Sequence, residues 1–69
     1  MIFSRIFKRR NALRKQFEDL EAIEERMLNT YTGLLKEMKH PQMCAEIGRI
    51  AEDERGHLEA ARKMLDILK

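Results

Sequence analysis

Apolar side chains recur along this chain at alternating three- and four-residue steps, the spacing of a helix that buries one stripe. The first set runs Leu13, Phe17, Leu20, Met27, Tyr31, Leu34 and Met38, and the second runs Met43, Ile47, Ile50, Ala61, Met64 and Leu68. His40 and Pro41 separate them. Proline is accepted in the first turn of a helix but cannot continue one from before. The pattern therefore predicts a first helix over 11–39, with Asn11 as its N-cap, and a second over 41–68. A connection this short makes the two antiparallel, an all-α helical hairpin. Leu28 and Leu35 on the first helix, and Ala51, Leu58 and Leu65 on the second, widen each apolar face beyond what one hairpin covers. A dimer of hairpins, or a higher homo-oligomer, forming a four-helix bundle resolves this. Gly33, Gly48 and Gly56 fall inside the predicted helices, where each costs roughly 1 kcal/mol against Ala unless it marks a close helix contact.

Each seam is broken only by residues able to bind a metal: Glu24 in the first helix, Glu54 and His57 in the second. A buried, unpaired carboxylate is costly and is normally bonded, protonated or bound to a cation. With the turn near residue 40, residue 24 lies opposite the stretch bracketed by Glu54 and His57. Two-fold symmetry would bring a second copy of each into the same layer. Four carboxylates and two imidazoles make the donor set of a two-metal site, with Fe or Mn suited to carboxylate oxygen and Zn a further candidate. The alternative is a structural polar layer in which Glu and His bond one another.

Size and composition leave room for such a site. At 69 residues the chain is one small domain, and its single cysteine, Cys44, forms no internal disulfide. Chains of this length bury only about 60% of their unfolded surface, so a metal or a partner chain is the expected staple. No apolar run approaches a membrane span. The methionines at seam positions read as core fillers, Cys44 as a small apolar group beside the seam, and His40 as exposed.

Charge is unevenly placed. Arg5, Lys8, Arg9, Arg10, Arg14 and Lys15 precede the first acid, Glu18. All 12 acidic residues and the remaining 8 of the 14 Lys and Arg follow. Residues 1–10 form a basic amphipathic segment, with Ile2, Phe3, Ile6 and Phe7 between the cations. They read either as an extension of the first helix or as a docking element for a membrane surface or a protein partner. The segment lacks the uninterrupted apolar core of a secretory signal, which points to a cytoplasmic protein. The acidic body argues against nucleic acid.

Glu24, Tyr31 seven residues later and the Glu54-Arg55-Gly56-His57 motif resemble one half of a rubrerythrin, in the ferritin-like superfamily of di-iron carboxylate proteins. The resemblance spans roughly residues 17–68. It implies that Glu24, Glu54 and His57 are metal ligands, that Tyr31 lies beside the centre, and that iron is the cofactor. The activity it implies is oxidation of Fe(II) by O2 or peroxide, as a ferroxidase or in peroxide reduction. Rubrerythrins hold both hairpins in one chain and carry a Cys-rich electron-transfer module. This sequence has one hairpin and no such module, so the di-iron site would be shared between two chains. Glu21 and Glu25 flank Glu24 and either supplement the site or face solvent. The competing reading is a non-enzymatic hairpin dimer acting as an RNA, membrane or protein adaptor through its basic N-terminus.

Overall fold

A computed structural model describes the backbone of residues 2–69 and the side chains from Arg5 onward. It contains two α-helices, α1 (Ile2–Glu37) and α2 (Pro41–Ile67), packed against each other as a hairpin. The molecule is a rod of 59 × 14 × 13 Å, two helices thick. Among the described residues, no helix is long and apolar enough to cross a membrane.

The connection follows from local chemistry. His40 is the N-cap residue of α2 with extended backbone (φ −78°, ψ 117°), the conformation favoured before proline. Its carbonyl accepts the Cys44 N–H at 2.9 Å, which starts the helix. Cys44 is half-buried at the turn, its thiol 3.4 Å from the Met38 carbonyl oxygen.

At the other end, the basic segment extends the first helix, one of its two readings, and this displaces the expected Asn11 cap. Asn11 is not an N-cap, because α1 runs unbroken through it from Ile2, and Asn11 Oδ1 instead accepts from Arg14 at 3.3 Å. The basic stretch is the first part of α1. Met1 lies outside the described residues, as do the side chains of Ile2 and Phe3.

Helix packing corrects which stripe faces inward. The inner seam of α1 runs through the half-buried Arg14, Phe17, Glu21, Glu24, Leu28, Tyr31 and Leu35 to Met38 just past its end, with Thr32 half-buried beside it. Their counterparts on α2 are Cys44, Ile47, Ala51, Glu54, Leu58, Ala61, Leu65 and Leu68. Both are unbroken heptad seams. They share Phe17, Glu24, Tyr31 and Met38, and Ile47, Glu54, Ala61 and Leu68, with the predicted stripes, but they take the flanking residues as the other half. The reason lies in side-chain size. Ala51 and Ala61, each 1% exposed, let the helices approach closely, which the bulkier Met43, Ile50, His57 and Met64 would not.

The displaced half of each stripe forms a second, open face. Leu13, Leu20, Met27 and Leu34 on α1, with Met43 and Met64 on α2, are exposed large apolar residues. Only Ala51, Leu58, Ala61 and Glu54 are buried among the described residues. None of the three glycines marks a close approach within the hairpin, since a Cβ at Gly33, Gly48 or Gly56 would meet nothing within 4 Å.

Candidate metal centre

Glu24 projects from the middle of α1 and Glu54 from the middle of α2, both on the inner seam. Their side chains are 13% and 10% exposed. Leu28 and Leu58, one turn further along each helix, are half-buried and buried, so the carboxylates sit in an apolar stretch of the seam. Glu24 Oε2 and Glu54 Oε2 are both buried without a hydrogen-bond partner.

His57 lies one turn after Glu54, so the two share a side of α2. Its Nδ1 stands 3.7 Å from Glu24 Oε2 and 3.9 Å from Glu54 Oε1. Those separations are beyond hydrogen-bonding distance but suit groups arranged around a common centre. One ligand atom from each of the three residues lies within 4.8 Å of the other two. The fold thus brings together all three residues singled out in the sequence. His57, however, is not in the core of the single chain: its side chain is 61% exposed, on the open face. The carboxylates approach the centre from inside the hairpin and the imidazole from its outer side.

The flanking acids separate clearly. Glu21, one turn before Glu24, bonds Arg62 Nε at 3.1 Å across the hairpin and is thereby committed to a structural ion pair. Glu25 is exposed. Tyr31 lies on the inner seam two turns beyond Glu24, half-buried.

Two residues with a structural task escaped the sequence reading. α2 has no basic residue in its last turn. Its final carbonyls are served instead by α1. Arg14 Nη2 donates to Leu68 O at 2.5 Å, and Arg10 Nη2 donates to Ile67 O at 3.3 Å and Lys69 O at 3.2 Å. These cations complement the negative end of the α2 dipole. Their four-residue spacing puts both on one side of α1, but only the partner helix reveals the purpose.

Two carboxylates and an imidazole form a mixed oxygen and nitrogen donor set that fits Fe, Mn or Zn. A divalent cation would satisfy both orphaned oxygens at once. The chain matches no protein-family model, no curated protein and no solved structure.

Proposed function

We propose that two copies of the hairpin join by their open faces into a four-helix bundle in which the two sets of Glu24, Glu54 and His57 would hold a pair of metal ions, iron by preference. The observation that carries this reading is the trio itself: two buried carboxylate oxygens without donors, and beside them a histidine exposed on the uncovered face. A single hairpin offers three ligand side chains, and a second copy would bring three more from the side where His57 is exposed.

The open stripes support a second copy. Leu13 with Leu34, and Leu20 with Met27, are equidistant from a point between Ile23 and Glu24. Met43 with Met64, and Ile50 with His57, are equidistant from a point between Asp53 and Glu54. Both midpoints therefore fall in the layer of the trio. A two-fold axis through that layer, perpendicular to the rod, pairs every large residue of each stripe with a stripe residue of the other copy. Such a contact is isologous, as closed dimers require. It also joins both sets of Glu24, Glu54 and His57. The result is a Glu from each of two helices and a Glu-x-x-His from each of the other two, the pattern of ferritin-like di-iron bundles.

Bound iron would supply redox chemistry, Fe(II) being oxidised by O2 or peroxide, which is the activity that the likeness to half a rubrerythrin implies. The chain's own part is to hold the cations. Glu24 and Glu54 would offset their charge and His57 would add a nitrogen donor, while Leu28 on the turn side and Leu58 on the far side would flank the carboxylates with apolar side chains.

The test is the double substitution Glu54→Ala with His57→Ala, compared with wild type after anaerobic loading with Fe(II). The double variant should stay helical, retain no stoichiometric iron and show no absorbance change on exposure to air. Undiminished iron binding by the double variant would contradict the assignment.

A further inference from the structure

A second column of residues borders the open stripe of α1. Arg9, Gln16, Ile23, Thr30 and Glu37 each follow a stripe residue (Ile6, Leu13, Leu20, Met27 or Leu34) by three positions, so column and stripe share a side of the helix. Arg9, Leu13 and Gln16 line one surface depression together with Ala12. All five column residues are exposed, and Ile23, at its middle, is 48% exposed. Among the described residues neither Arg9 nor Glu37 has an ion-pair partner.

The column is complementary to itself when reversed. A second α1 laid antiparallel about Ile23 sets Arg9 beside the partner's Glu37, Gln16 beside the partner's Thr30, and Ile23 beside the partner's Ile23. That centre lies within one residue of the point about which the stripe is symmetric. An axis along the rod would also bring the two metal trios into one layer, but it lays α1 on the partner's α2. The matching column of α2 is Glu46, Asp53, Ala60 and Ile67, each three positions after Met43, Ile50, His57 or Met64. Ile23 would then meet the partner's Asp53, and Arg9 the partner's Ile67, an apolar residue against a charge in both cases. With the axis perpendicular to the rod, α2 brings Asp53 towards the partner's Asp53, so the complementarity resides in α1.

We infer that the two copies join through α1, packed antiparallel on the partner's α1, and that Arg9 and Glu37 select this arrangement by pairing across both ends of the interface. The inference rests on the two-copy reading above and adds which helices meet and what orients them. It also gives the start of α1 a neighbour. Arg10 already touches the last carbonyls of α2, so residues 2–9 extend past it. At this register Ile6, 54% exposed in the single hairpin, is level with the partner's His40 and the partner's Pro41.

Arg9 and Glu37 stand at opposite ends of α1, about 42 Å apart at 1.5 Å per residue, so any coupling between them runs through a second chain. The full chain is sedimented over a dilution series, without metal and with Zn(II). Arg9→Glu and Glu37→Arg each turn two attractive pairs of the dimer into repulsive ones, and each should raise its dissociation constant about tenfold. Both changes suit the α1 dipole, so a weaker dimer would not stem from a poorer helix. The double variant should return to within about twofold of wild type. An equimolar mixture of the two single variants should form mixed dimers in preference to either homodimer. Ile23→Lys separates the two axes by sign. It sets cation against cation where α1 meets α1, weakening the dimer, and cation against the partner's Asp53 where α1 meets α2, strengthening it. A double variant no better than the singles, or a dimer strengthened by Ile23→Lys, would overturn the inference and leave the two-copy reading in place. A wild-type chain that is monomeric in both conditions would overturn the two together.

Discussion

Glu24 and Glu54 face each other across the hairpin, and each keeps one buried carboxylate oxygen that no donor reaches. Two such unbonded oxygens, on a scaffold with four buried residues among those described, are a desolvation cost for a chain this small. That cost has a measurable sign. In metal-free protein, Glu54→Leu should stabilise the fold by about 1–2 kcal/mol, because an apolar side chain of similar size replaces a buried carboxyl group with an unbonded oxygen. For a domain of this length the melting midpoint should then rise by about 4–8 °C per kcal/mol. Thermal melts in chelator decide it, and a lower midpoint for the variant would mean that the carboxylate is satisfied by its surroundings.

Metal should reverse the ranking. Added Fe(II), Mn(II) or Zn(II) should stabilise the wild type by about 2.7 kcal/mol at a hundredfold excess over the dissociation constant, and Glu54→Leu hardly at all. Metal ligands must shed protons before they bind, so the increment should shrink as pH is lowered. Anaerobic melts across a pH series show whether it does.

In the proposed dimer, folding and assembly are inseparable. A core of Ala51, Leu58 and Ala61 is too small to hold two long helices alone. Helicity and the melting midpoint should therefore rise with protein concentration. Leu20→Glu should abolish the dependence and lower the midpoint, since Leu20 lies at the centre of the exposed stripe. Sedimentation with circular dichroism over a hundredfold dilution checks both. A concentration-independent midpoint would remove the case for a second copy.

Arg14→Ala removes the bond to the Leu68 carbonyl and part of the charge complementing α2. The expected cost is about 1–2 kcal/mol, concentrated in the last turn of α2. Hydrogen exchange should show faster exchange of the amides near Leu68, with those around Ala51 changing only as far as global stability falls.

Gly33→Ala should act in the opposite direction. Gly33 is helical, exposed and without a positive φ, and a Cβ there meets nothing. A gain of about 0.5–1 kcal/mol is expected from helix propensity. A loss would mean that another chain approaches the backbone at that point.

Much of this was legible in the sequence because it depends on local chemistry. The His40-Pro41 break, the antiparallel pairing and the placing of Glu24 opposite the Glu54–His57 stretch follow from proline sterics and helical period. The choice between stripes did not follow. Leu13, Leu20, Met27 and Leu34 are as apolar as Leu28 and Leu35, and heptad spacing serves both sets equally. The small residues Ala51 and Ala61 decide the matter, through how closely two backbones can approach. That choice also puts His57 on the open side, although its sequence position resembles that of Glu54. The capping of α2 by Arg10 and Arg14 links residues more than fifty positions apart, and no local pattern announces it.

The most direct test of the central claim is metal content measured together with oligomeric mass, on protein purified without chelator and reloaded anaerobically with Fe(II). An intersubunit centre predicts about one iron per chain in a dimer, and an absorbance change when air is admitted. A metal-free dimer, with stability unchanged by Fe(II), Mn(II) or Zn(II), would contradict it and leave Glu24, Glu54 and His57 as a structural polar layer.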